Sequence, residues 1–174
     1  ELAAGTSKTT WTRTSGPNTI SQSLPVYAGP QQLDYSASFI YLRTPNLATY
    51  LMGPWYNNSG RTQLFVNIPK NQGLIIRLPR SSTLGSIPTT KTRTEGFMLN
   101  GILQDAVGWL VDGTAIFDPM DGHTYNNGTE QMAGPGQWHR DAYVNEGITF
   151  DKSYAHQQNT GKYHHHANPI GLRY

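Results

Sequence analysis

The chain of 174 residues contains no cysteine. That excludes disulfide bridges, thiolate metal sites and a cysteine nucleophile. It leaves the compartment open, because a chain of this length can bury a sufficient core without cross-links. Charge is scarce as well: 14% of residues are charged, against roughly 25% in an average soluble domain. The formal net charge of +2 supplies no basic stripe for phosphate, which argues against nucleic acid as a partner. No apolar run approaches the roughly 18–20 residues of a membrane span. No stretch carries the apolar spacing of a long amphipathic helix. Eighteen glycines and 11 prolines exclude a coiled coil or long bundle. Glutamate is limited to Glu1, Glu95, Glu130 and Glu146, and nothing marks out a glycosidase-type pair of carboxylates. G-x-S-x-G, P-loop, dinucleotide-binding and H-E-x-x-H patterns are absent.

What is abundant is Gly, Thr, Asn, Ser and Tyr, the composition of short strands joined by many turns. Residues 1–34, broken by Pro17, Pro25 and Pro30, read as an extended arm or edge strands. Residues 35–174 read as one β-rich domain. Strands are expected at Ser38–Leu42, Ala48–Met52, Gln63–Pro69 and Leu74–Pro79, with loops at 53–60 and 80–95. Ala106–Val111 and Thr114–Phe117 flank Asp112-Gly113, which predicts a hairpin with a two-residue turn and positive φ at both turn residues. Residues 118–146 read as mostly irregular, with one further strand at Gln137–Val144. The expected fold is mainly β, a single antiparallel sandwich or irregular barrel with long loops.

All six histidines follow residue 122: His123, His139, His156, His164, His165 and His166. The run Tyr163-His164-His165-His166 is internal and too short for an affinity tag. On an extended backbone side chains alternate, so His164 and His166 share one face, and Tyr163 and His165 the other. Two imidazoles at i and i+2 can converge on one ion, and neutral imidazole suits zinc or copper. A third ligand would come from His139 or His156, or from a carboxylate such as Asp121, Asp141 or Asp151. Asp121 or Asp141 could instead orient an imidazole. The bland reading of the same residues is solvated or core histidine; His139 follows Trp138 and could simply pack, and His123 sits in a turn. Asp118 and Asp121 could offer oxygens to calcium, but their spacing does not match a calcium loop, so copper or zinc is favoured. Trp55, Tyr56, Trp109 and Trp138 are read as core before sugar platform.

The Tyr163–His166 run followed by Asn168-Pro169 resembles the YHYH-motif family of secreted proteins, whose activity is uncharacterised. The resemblance extends to Gly108–Phe117, to Asp121 with Tyr125-Asn126-Asn127, to Trp138–Ala142, to Gly147–Asp151 with His156, and to Met52–Trp55 and Ile68-Pro69. It departs at His165, where the motif has its second Tyr. That position lies on the face away from His164 and His166. The resemblance implies secretion and a shared site at Asp121, Tyr125, His139, His156, Tyr163, His164 and His166. It implies no reaction. His123 has no counterpart. Family members often continue past the motif, so a chain ending at Tyr174 is expected to be a short form or a fragment.

Three functions follow as expectations. The first is an extracellular protein that binds a divalent transition metal through His164, His166, His139, His156 and Asp121, with Asp141, Tyr163 and Tyr125 around them. The second is a hydrolase, using that metal or a His139–Asp141 acid–base pair. The third is a structural or adhesive extracellular module without metal, with an extracellular partner or self-assembly through strand addition. The start at Glu1 and two glycosylation sequons, Asn57-Asn58-Ser59 and Asn127-Gly128-Thr129, support the extracellular expectation.

Overall fold

The computed structural model describes residues 7–12, 19–81, 98–99, 102–103, 106–126, 129–132 and 138–172. Side chains before residue 28, at 98–103, 124, 126, 131–132 and 138–139 lie outside that description. The chain is mainly β. Its strands are β1 (Ser7–Thr12), β2 (Thr19–Tyr27), β3 (Gln32–Tyr35), β4 (Phe39–Thr44), β5 (Leu74–Pro79), β6 (Met98–Leu99), β7 (Ile102–Leu103), β8 (Ala106–Trp109), β9 (Ala115–Phe117), β10 (Met120–Asn126), β11 (Thr129–Met132), β12 (Trp138–Asp141), β13 (Ala155–Gln157) and β14 (Tyr163–His165). One short helix, α1, covers Ala142–Glu146. Among the described residues the strands form several small sheets and no closed barrel: β1-β2, β3-β4-β5, β6-β7, β11-β10-β12 and β13-β14-β9-β8. No helix among them is long and apolar enough to cross a membrane. Every ladder is antiparallel except β14 with β9, which run parallel.

The strands at Phe39–Thr44 and Leu74–Pro79 form where expected and pair with each other. Ala48–Met52 and Gln63–Pro69 are corrections. Both are irregular apart from one isolated bridge, Tyr56 to Leu64. Side chains replace a ladder here. Thr49 N–H donates to Asp112 at 3.4 Å, Gly53 N–H to Asp151 at 3.0 Å, and Gln157 Nε2 to the Asn67 carbonyl at 2.6 Å. The apolar residues of this irregular segment still become core: Leu47, Ala48, Met52 and Ile68 are buried with Ala28, Ala155 and Tyr163. The segment therefore covers the Tyr163 face of β14.

The expected hairpin joins β8 to β9, with a turn one residue longer than predicted. Leu110 N–H donates to Thr114 O, Gly113 N–H to Leu110 O, and only Gly113 has positive φ, at 78°. That is a three-residue turn closed by a left-handed glycine. Asp112 is free to bond instead: its Oδ1 accepts from the Thr114 amide at 3.1 Å and the Thr114 hydroxyl at 2.7 Å.

Residues 118–146 are the other correction. They hold a three-stranded sheet and a helix rather than irregular chain and one strand. The strand expected at 137–144 stops at Asp141 because that side chain caps α1, accepting from Val144 N–H at 3.0 Å. Arg140 fastens the sheet. It reaches Asp121 Oδ2 through Nε and Nη2, each at 2.5 Å, and Glu130 through Nη1 at 2.7 Å.

Candidate metal centre

His156 on β13 lies directly opposite His164 on β14. Directly paired residues project from the same side of a sheet. His166 follows at the i+2 position and shares that side. The ligand nitrogens of His156, His164 and His166 consequently lie within 4.8 Å of one another. His164 Nε2 and His166 Nε2 are 3.1 Å apart. The trio is enclosed by aromatic rings. Phe117 stacks on His164 at a centroid distance of 3.8 Å, Phe150 meets His156 edge-on at 4.8 Å, and Phe65 stacks over His156 at 6.3 Å.

The remaining nitrogens determine which atom of each ring faces inward. His164 Nδ1 lies 2.9 Å from the Lys162 carbonyl, and His166 Nδ1 lies 2.5 Å from the Asp118 carbonyl. A carbonyl only accepts, so both Nδ1 atoms carry the proton. His156 Nδ1 lies 2.6 Å from Thr149 Oγ1. The Thr149 hydroxyl donates its own proton to the Glu146 carbonyl at 2.7 Å, so His156 Nδ1 is also the donor. In the neutral form all three rings therefore present unprotonated Nε2 lone pairs to a common centre. Between His164 and His166 two lone pairs face each other at 3.1 Å, an arrangement that a cation relieves. Burial, reinforced by the neighbouring His156 and His166, pushes His164 well below the usual imidazole pKa. Burial likewise lowers His166, against the opposing Asp118 carbonyl and Glu146 charge. Both are neutral, ligand-competent imidazoles at neutral pH.

Glu146, the last residue of α1, was not singled out in the sequence. Its Oε2 lies 3.4 Å from His156 Nε2 and 3.4 Å from His166 Nε2. Burial would raise its pKa, but His156 and His166 when protonated, together with the Gly122 amide, pull it below the usual carboxylate value. No motif marks this glutamate; only the short helix places it over the trio.

The other candidates have different partners. Asp121 is buried, but its Oδ2 accepts from Arg140 and its Oδ1 from the His123 amide at 2.8 Å; Tyr125 also bonds Arg140. Asp141 is the helix cap and is exposed. His139 pairs with Thr124 in the β10–β12 ladder, and its side chain lies outside the described residues. His123 stands apart, 2.7 Å from Glu130. Asp151 is no ligand to the trio: it accepts from Gly53, Ser153 and Ala155 amides and from the Tyr163 hydroxyl at 2.7 Å.

Tyr163 and His165 face the opposite way, as alternation requires. Tyr163, fully buried, bonds Asp151, and His165 Nε2 lies 2.5 Å from the Tyr50 hydroxyl. Asn46 clamps the start of the strand to the start of β9. Its Nδ2 donates to Tyr163 O at 2.7 Å, and its Oδ1 accepts from Ala115 N–H at 2.8 Å.

Comparison with known proteins adds one match. The family model described as YHYH protein matches residues 79–174, more than half of the chain. No curated protein and no solved structure matches it.

Proposed function

The chain belongs to the YHYH protein family, and we propose that it binds one divalent transition metal, zinc or copper, through Nε2 of His156, His164 and His166. The observation that supports this most directly is the orientation of the rings. Each Nδ1 is held by an acceptor, and each Nε2 is turned inward. Metal-ligating histidines are fixed in this way, by donating the other ring N–H to a carbonyl or a similar partner. A purely structural cluster would be expected to link imidazoles donor to acceptor. Calcium does not suit three nitrogens, because it takes oxygen ligands. We place the protein outside the cell, and Asn57, exposed in its loop, suits the glycan acceptor this implies.

The test is elemental analysis of tag-free protein purified without added metal or chelator, beside a His164→Ala/His166→Ala variant. Near-stoichiometric zinc or copper in the wild type, lost in the variant, is expected. Absence of metal together with no uptake on titration would overturn the reading.

A further inference from the structure

We propose that Glu146 is a fourth ligand, so that the metal centre is a closed tetrahedral site of three imidazoles and one carboxylate, suited to zinc. The inference rests on the metal reading above and extends it to coordination number and metal. Its warrant is a set of distances. Zinc bonds imidazole nitrogen and carboxylate oxygen at about 2.0–2.2 Å. Around a tetrahedron with bonds of that length, neighbouring ligand atoms stand roughly 3.3–3.5 Å apart. Glu146 Oε2 is 3.4 Å from His156 Nε2 and 3.4 Å from His166 Nε2. His164 Nε2 and His166 Nε2 are 3.1 Å apart. The His164–His166 pair is shorter than this tetrahedral spacing and the trio spans up to 4.8 Å, so a bound ion would even out the three nitrogens, whereas the two carboxylate contacts at 3.4 Å already match it.

The carboxylate also has the right position and charge. α1 is held at its start by the Asp141 cap and at its end by Thr149, whose hydroxyl bonds the Glu146 carbonyl while accepting from His156. One hydroxyl thus ties the backbone of the fourth ligand to the ring of the first. Three neutral imidazoles leave a bound dication with charge +2, and a single carboxylate halves it in a site walled by Phe117 and Phe150. Glu146 is the most accessible member, its side chain 26% exposed against 10% for His156 and 6% for His166. It is therefore the ligand through which the ion enters and leaves.

The experiment uses the full chain loaded with zinc, and with cobalt(II) as a spectroscopic substitute. X-ray absorption at the zinc edge should show four nitrogen and oxygen neighbours, three of them imidazoles, and the cobalt(II) form should give the intense visible bands of a tetrahedral ion. Competition against a chromogenic chelator should show Glu146→Gln binding zinc at least about tenfold more weakly, at unchanged stoichiometry and unchanged circular dichroism. If zinc binds the wild type but Glu146→Gln matches it within twofold with the same cobalt spectrum, Glu146 is not a ligand and the three-histidine reading stands alone. A five- or six-coordinate zinc in the wild type would equally overturn the closed shell, and that measurement does not depend on the variant folding. If the wild type takes up neither ion, the histidine reading falls as well.

Discussion

Acid should unfold the metal-free protein through its buried histidines, and His165 gives the magnitude. Burial lowers its pKa from 6.5 to about 4, against the opposing Ser153 and Tyr154 carbonyls. The unfolded chain therefore binds a proton that the folded chain refuses between those two values. Stability is full above pH 6.5 and is lost as pH falls toward 4. The whole displacement is worth about 3 kcal/mol, at about 1.4 kcal/mol for each tenfold change in proton affinity. Roughly 2 kcal/mol of it disappears between pH 7 and pH 5. His164 and His166, also lowered by burial, add losses of the same sign. Asp151 acts in the opposite sense, because burial raises its pKa, so the His165→Gln comparison isolates the imidazole contribution. The assay is urea unfolding with chelator present at pH 8, 7, 6 and 5, on wild type and His165→Gln. The wild type should lose at least about 2 kcal/mol between pH 7 and pH 5, and the variant should show a shallower slope. A flat profile over that interval, or identical slopes in the two proteins, would refute the claim that these imidazoles are buried neutral.

Thr149→Val should leave the fold intact and weaken zinc binding by about 10–100-fold, because it removes the acceptor that holds His156 Nδ1–H; an unchanged chelator-competition curve would count against the tautomer assignment. Arg140→Met should destabilise the protein by about 3 kcal/mol in denaturant, since it strands the buried Asp121 carboxylate, while metal content stays unchanged; loss of metal would restore Asp121 as a ligand. Asn46→Ala should cost about 2–4 kcal/mol, leaving Tyr163 O and Ala115 N–H without their buried partner, and a change under 1 kcal/mol in the urea midpoint analysis would show that water replaces it. Gly113→Ala should lower the melting temperature, because a Cβ there collides with the Thr44 side chain and φ is 78°; an unaltered melting curve would mean that the turn relaxes without cost.

How much of this was legible in the sequence depended on where each backbone found its hydrogen bonds. Phe39–Thr44 and Leu74–Pro79 pair with each other, so β-branched and aromatic content marked them correctly. Ala48–Met52 has the same content, but the Thr49 amide within it bonds Asp112 and the Gly53 amide just after it bonds Asp151, each from more than sixty residues away. No local pattern contains that information. Residues 118–146 erred the other way, because their polar strands are fastened by Arg140 with Asp121 and Glu130 rather than by apolar contacts. One local signal was present without being read as a hairpin: Asn127-Gly128 lies in sequence between the paired residues Asn126 and Thr129, where such a dipeptide marks a hairpin. At the candidate site, alternation along Tyr163–His166 was enough to pair His164 with His166. His156 required the β13–β14 register, and Glu146 required the placement of α1.

The alternation within the motif explains why one short strand carries so many ionisable side chains. A strand with a single polar face could place His164 toward a metal but would leave its other side to slide over a smooth core, and a slip of one residue would exchange the two faces. Here the second face is specified as tightly as the first. Tyr163 is committed to Asp151 and His165 to Tyr50, while Asn46 ties the start of β14 to the start of β9. A slip would bury the Asp151 carboxylate without its hydroxyl partner and remove the ring from Tyr50, each a costly loss in a dry interior. The register that these bonds enforce is the same register that sets His164 opposite His156. His165, standing where the motif has tyrosine, suits this arrangement because an imidazole nitrogen can accept from the Tyr50 hydroxyl. The odd positions of the motif therefore fix the strand, and the even positions stand together with His156 on its other face.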